Sequence, residues 1–206
     1  MEAMSSARRS RLHSGSSCSA ALPSAASGAR IRVCVIGAGV CGLAAIKAAK
    51  ENDFDVEAFE SSDGIGGLWR YDDNRHGVAA FTHINVSKDN YCFSDFPFDS
   101  RTPDYPHHSQ MLQYIEAYSL EFSLLPHISF NTTVQAVAPA GDGAVMVTTS
   151  NAQRGSITRR YDHVMIASGH HVIPLTPPFP GLASFKGRVL HSIACASRPR
   201  SDPPLS

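Results

Sequence analysis

The run Gly37-Ala38-Gly39-Val40-Cys41-Gly42 constrains this chain more than any other stretch, because of what flanks it. Ile31 to Ile36, just before it, is short and β-branched, as a buried strand is. Leu43 to Lys50, just after it, joins strong helix formers to an apolar face. A second strand, Val56 to Phe59, ends on Glu60, close to the ~20-residue distance at which a ribose-binding acid is expected. The six-residue string alone also fits a glycine-rich turn with no ligand. Strand, glycines, helix, strand and terminal acid in that order predict a βαβ unit that holds the ADP half of a dinucleotide.

The chemistry assigns each residue a task. Gly37 permits the tight turn out of the strand, Gly39 lets backbone approach a pyrophosphate, and Gly42 lets the helix pack close to the sheet. Val40 and Cys41 fall at the helix start, where unpaired N–H groups and the positive dipole end meet the phosphates. Glu60 can accept hydrogen bonds from both ribose hydroxyls and would repel a 2′-phosphate. That favours FAD or NAD over NADP at this position.

The 206 residues suffice for one well-packed domain, or one domain with a tail. Lys and Arg number 18 and Asp and Glu 18, a balance that gives no reason to expect nucleic acid. Cys18, Cys34, Cys41, Cys92 and Cys195 form no C-x-x-C and read as reduced and structural, as in an intracellular, by default cytoplasmic, protein. No stretch approaches the ~18 apolar residues of a membrane span, so no transmembrane segment is expected. Residues 1–30 carry Arg8, Arg9, Arg11 and Arg30, many Ser and Ala, and the single acid Glu2. This extension reads as an organellar import signal, or else as a disordered extension or a misassigned start codon.

Further on, Gly64-Ile65-Gly66-Gly67-Leu68-Trp69-Arg70-Tyr71 sets adjacent glycines before the only tryptophan. It suggests backbone lying on a flat ligand with an aromatic wall, or else a surface turn with a packing Trp. His108 to Leu125 reads as a helix capped by Ser109, its stripe of Met111, Tyr114, Ile115, Tyr118 and Phe122 serving the core. Three strands follow, at about 128–137, 144–149 and 156–161, with Gly141-Asp142-Gly143 and Asn151 to Gly155 as turns. His163 to Ser168 reads as a strand buried on both faces, ending at Gly169, where a ligand can approach closely. A meander in place of a crossover helix, then a return strand, is a flavoprotein arrangement more than a dehydrogenase one. The pairs His107-His108 and His170-His171 diverge as neighbours in sequence, and no metal site is expected.

These stretches resemble the N-terminal, FAD-binding part of the flavin-containing monooxygenases. The likeness is carried by Gly37 to Gly42, Phe59-Glu60, Ile65 to Arg70, Asn85 to Lys88, Cys92-Phe93-Ser94-Asp95-Phe96-Pro97, and Ser168-Gly169-His170. Phe185-Lys186-Gly187-Arg188-Val189-Leu190-His191 begins the family's identifying pattern, but Cys195 and Ala196 stand where an aromatic residue and Pro belong. From Ile193 the chain is loop-like, and the second glycine motif of the family, for NADPH, does not follow. The resemblance therefore implies an α/β, Rossmann-like FAD-binding domain over 31–192, with a three-stranded β-meander crossover, incomplete at its C-terminal side. It implies a tail at 193–206 and a truncated chain that does not turn over NADPH alone.

By resemblance the parent enzyme is an FAD- and NADPH-dependent monooxygenase. O₂ and a soft nucleophile, an amine nitrogen or a thioether sulfur, would meet at a C4a-hydroperoxyflavin. Asn85 matches an asparagine near the flavin's reactive edge, where its amide can donate a hydrogen bond to oxygen; turn formation is the plainer role. Gly66, Gly67, Leu68, Trp69 and Gly169, with Val134 in the first meander strand, complete the implied cofactor contacts. Two other readings stay open. A reductase of the related two-dinucleotide class needs a redox cysteine pair that Cys34 and Cys41 do not supply. A non-catalytic FAD-binding fragment fits intact FAD motifs without an NADPH motif.

Overall fold

The structure, a computed structural model, describes residues 28, 30–72, 77–170, 174–189 and 191. The fold grows from β1 (Arg32–Ile36), whose Val33, Cys34 and Val35 are fully buried. Strand period sends Val33 and Val35 to one face and Cys34 to the other, and the two faces join separate clusters. On the first face lies α1 (Val40–Glu51), which buries Gly42, Leu43, Ile46 and Ala49 at helical spacing. The chain turns at Asn52 and Asp53 into β2 (Asp55–Phe59), parallel to β1, with Val33 opposite Val56 and Ile36 opposite Phe59. The predicted βαβ unit is there.

After a short helix α2 (Lys88–Tyr91), the long helix α3 (His108–Glu121) packs on the same face. Its aromatic stripe serves packing: Phe93 stacks on Tyr118 at 4.2 Å and Phe98 on Tyr114 at 4.0 Å. Tyr114 Oη also donates to the Phe96 carbonyl at 2.6 Å. Two details of the expected helix change. It ends at Glu121, because Ser123 takes a left-handed backbone (φ 51°) and Leu125–His127 winds as a separate 3-10 turn. It is capped by His107, whose ring accepts from the Ser109 amide, and not by Ser109.

The strand expected at 128–137 is two strands. β3 (Ile128–Ser129) pairs in parallel with β2, and after Asn131 (φ 51°) β4 (Thr132–Pro139) enters a different sheet. β4, β5 (Val145–Asn151) and β6 (Gly155–Tyr161) form the antiparallel meander, with a register shift between Val134 and Ala136. β7 (His163–Ile166) then returns beside β1, giving the parallel order β3-β2-β1-β7.

The meander lies on the second face of the parallel sheet, against Cys34 and Phe59 through Val147 and Tyr161. A polar clamp reinforces it: Glu57 accepts from Tyr161 Oη at 2.5 Å and pairs with Arg159. β7 departs from expectation. Among the described residues it is an edge strand, with Ile166 72% exposed, because an apolar run is buried on both faces only where layers cover both. The proposed extension at 1–30 and tail at 193–206 fall almost wholly outside the described residues.

Candidate functional site

Parallel pairing brings the carboxyl ends of β1, β2 and β7 to one edge, so Gly37, Glu60 and Ala167 converge there. The Gly37 amide donates to the Phe59 carbonyl at 2.8 Å and the Ala167 amide to the Ile36 carbonyl at 2.9 Å. Gly37 has φ +102°, and a Cβ on it would meet the Ala167 carbonyl oxygen at 2.5 Å. Gly42 is tighter still, with the Gly37 carbonyl oxygen 1.9 Å from where its Cβ would sit. Its smallness thus serves the turn leaving β1 more than the sheet face.

Gly39 ends the turn as the residue before α1, and no side chain caps the helix or places an acid in its first turn. The first helical bond runs from the Leu43 amide to the Gly39 carbonyl at 2.9 Å, which leaves the amides of Val40, Cys41 and Gly42 to point out of the helix end. Cys41 is exposed and Val40 half-buried. A twelve-residue helix with a bare N-terminus on a glycine turn offers unpaired amides and a positive dipole end that could hold a phosphate.

The second glycine segment closes on the first. The Gly66 amide donates to the Ala38 carbonyl at 3.1 Å, and a Cβ on Gly67 would come within 2.9 Å of Gly39 Cα. Gly67–Trp69 forms a 3-10 turn entered through left-handed backbone at Gly66 (φ 113°). Within it Trp69 turns inward, 8% exposed, with its ring edge-on to Tyr91 at 5.8 Å, whereas Leu68 faces out. Trp69 therefore shapes the turn from the core side.

Glu60 sits beside both segments. Its Oε2 accepts from the Ala38 amide at 2.8 Å; its Oε1 accepts from the Ser62 amide at 2.8 Å and the Ser62 hydroxyl at 2.7 Å. Burial opposes the charge, but these bonds, with one from Ser61, outweigh it and hold the carboxyl below its ordinary range. Ala38 and Ser62 are site residues that motif reading passes over. The hydroxyls directly after the acid, in Glu60-Ser61-Ser62, are the sequence signal for Ser62, and Ala38 lies inside the glycine motif itself.

The remaining candidates are more scattered. Gly169 (φ +82°) follows β7 by three residues and has open space at its α-carbon. Asn85 lies exposed in a bend after buried Ile84. Val134 is half-buried and packs against the cluster of Cys34, Phe59, Val147 and Tyr161 beneath the meander. The rings of His107 and His108 do not diverge: their centroids are 4.1 Å apart. Among the described residues no His, Cys, Asp and Glu group could hold a metal ion.

The family profile described as flavin-binding monooxygenase-like matches residues 30–199. The chain belongs to that family. It is 40% identical over 174 residues to flavin-containing monooxygenase 5 of Rattus norvegicus, covering 80% of this chain and 32% of that protein. It is 39% identical over 172 residues to dimethylaniline monooxygenase [N-oxide-forming] 2 of Oryctolagus cuniculus, covering 78% and 32%. The chain thus spans about a third of the length of these relatives, 32% in both.

Among solved structures, S-allyl-L-cysteine S-oxygenase from Allium sativum shares the fold, with a TM-score of 0.73 at 23% identity, over 79% of this chain and 42% of that one. An oxidized steroid monooxygenase bound to NADP matches with a TM-score of 0.59 at 26% identity, over 74% and 28%. Flavin and NADP(H) are the cofactors of this family. As a member, this chain carries the α/β fold of its FAD-binding domain. No helix among the described residues is long and apolar enough to cross a membrane.

Proposed function

We propose that residues 31–192 form the FAD-binding unit of an NADPH-dependent monooxygenase that oxygenates soft nucleophiles. One observation carries the cofactor reading: Glu60, ionised and fixed on the Ala38 amide, stands beside the uncapped start of α1. The carboxylate suits ribose hydroxyls and the helix start suits a pyrophosphate, so together they match the ADP half of FAD. The Gly39–Gly67 approach packs the two segments backbone on backbone, with no side chain at either glycine to obstruct a flat, extended cofactor lying across them.

Val40, Cys41 and Gly42 would donate their amides to the phosphates, and Gly66 to Leu68 would pass along the cofactor. Bound flavin, reduced by NADPH, supplies the activation of O₂ that the protein's own groups cannot. Asn85 is the residue we assign to donate a hydrogen bond to oxygen at the reacting edge. A tertiary amine is the favoured substrate class, in keeping with the relative whose name describes N-oxide formation; a thioether sulfur is the second.

The test of the cofactor site is competition. The chain should bind FAD, lose it to excess ADP, and bind FMN, which lacks the ADP half, far more weakly. Equal affinity for FMN and FAD would refute the assignment. The reaction is tested on a protein of the relatives' full length, of which this chain spans 32%, by NADPH- and O₂-dependent formation of an N-oxide from a tertiary amine. FAD binding there without that product would retain the cofactor site and refute the oxygenase.

A further inference from the structure

We infer that His107 is a positioning residue, which pins the loop leading to Asn85 onto the start of α3. This rests on the role proposed for Asn85. The His107 ring uses both nitrogens. Nε2 lies 2.9 Å from the Ala80 carbonyl oxygen, which can only accept, so Nε2 carries the proton. Nδ1 is then a bare acceptor, and it takes bonds from the Ser109 amide at 3.3 Å and the Ser109 hydroxyl at 2.9 Å. The His107 amide completes the cap by donating to Gln110 Oε1 at 3.0 Å.

Around this ring runs a short antiparallel ladder. His83 bridges His107, the His108 amide donates to the Thr82 carbonyl at 2.8 Å, and the Ile84 amide to the Pro106 carbonyl at 3.0 Å. The His83 ring meets His107 edge-on at 4.9 Å. Ile84, next to Asn85, is buried in the core. Asn85 is therefore set by residues more than twenty positions further along the chain.

The choice of residue explains itself by what smaller caps lack. Asn, Asp or Ser at a helix start supplies the acceptor as well as His does. None of them also reaches the Ala80 carbonyl with a second, opposed donor. His107 joins helix and loop; a better cap would serve the helix alone.

That distinction sets the experiment on the full chain, using hydrogen exchange resolved by residue. His107→Asn should keep the interior amides of α3, such as that of Ile115, as protected as in the parent. The Ile84 and His108 amides should exchange about tenfold faster, as expected for loss of one hydrogen bond. His107→Ala should accelerate both groups. FAD affinity and the bound-flavin absorption band should change in His107→Asn although the helix is intact. Unchanged protection of Ile84 and His108 in His107→Asn would overturn the inference, as would a faster loop with flavin affinity and band unaltered. If the parent chain binds no FAD, the cofactor reading fails, while the exchange rates still decide whether the tie exists.

Discussion

The carboxylate of Glu60 accepts the Ala38 amide at 2.8 Å, so the residue directly after β2 also fixes the turn that leaves β1. Sequence separates the two by 22 positions; parallel pairing of β1 with β2 puts them side by side. The cofactor recognition proposed for Glu60 and the geometry of the turn therefore meet on one side chain. Glu60→Ala should cost flavin affinity through lost charge-assisted hydrogen bonds, each worth about 1.5–3 kcal/mol. Titration of FAD against flavin fluorescence measures it, and parental affinity in the variant would refute the assignment.

The same carboxyl makes stability depend on pH. Its folded pKa lies below the ordinary value of 4.5, so its contribution is fully present above that value. The contribution is lost as pH falls through the lowered folded value, because protonation removes the charge that Ala38 and Ser62 stabilise. Denaturant unfolding at a series of acid pH values should show a steeper loss in the parent than in Glu60→Gln. Parallel profiles would mean that the folded structure does not favour the ionised form.

Two glycines in one motif should fail in different ways. A Cβ at Gly42 meets the Gly37 carbonyl oxygen at 1.9 Å, and since both groups are backbone neither can yield cheaply. Gly42→Ala should destabilise by roughly 3 kcal/mol or more. A Cβ at Gly39 meets only Gly67 Cα, at an ordinary 3.6 Å, so Gly39→Ala should lose no more than about 1 kcal/mol. It should nonetheless abolish FAD binding by filling the phosphate approach. Thermal unfolding and FAD titration of the two variants separate the effects.

The meander clamp predicts a third loss. Tyr161 is fully buried and donates to Glu57, a charged acceptor, so Tyr161→Phe should destabilise by about 1.5 kcal/mol with packing conserved. Arg159 keeps Glu57 paired in that variant, which holds the loss at the low end. Urea midpoints with an unchanged denaturant slope are the measurement.

Thiol chemistry offers a test of accessibility. Burial, with Glu57 nearby, pushes the Cys34 thiol up to about 12, whereas Cys41 is exposed at the bare start of α1. A thiol reagent should therefore label Cys41 in the native chain and spare Cys34. Bound FAD should protect Cys41. Mass mapping of the labelled sites checks both statements, and rapid labelling of Cys34 would contradict the packing of the meander.

Much of this was legible in the residues. The strand, glycines, helix and Glu60 were readable because each is a local signal: β-branched strand composition, backbone freedom, helical spacing and an acid directly after a strand. The meander was readable from its turns at Gly141 to Gly143 and before Gly155. Local signals do not carry pairing. The run from Ile128 divides between two sheets because β2 offers an open edge to Ile128 and Ser129, which no property of those two residues announces. The exposure of β7 has the same origin: His163 to Ile166 is apolar enough for a buried strand, but the layers around a strand decide whether it is one.

The site divides along the same line. Composition and spacing determined that a glycine turn and a strand-end acid stand in the order of a dinucleotide motif. Only the tertiary structure decided that Glu60 holds Ala38, that Gly67 rests on Gly39, and that His107 rather than Ser109 caps α3. Propensity is a sum over neighbours in the chain, whereas hydrogen-bond partners are chosen by what folding brings within about 3 Å. That distance is set by sheet register and helix packing, and no single segment of the sequence contains it.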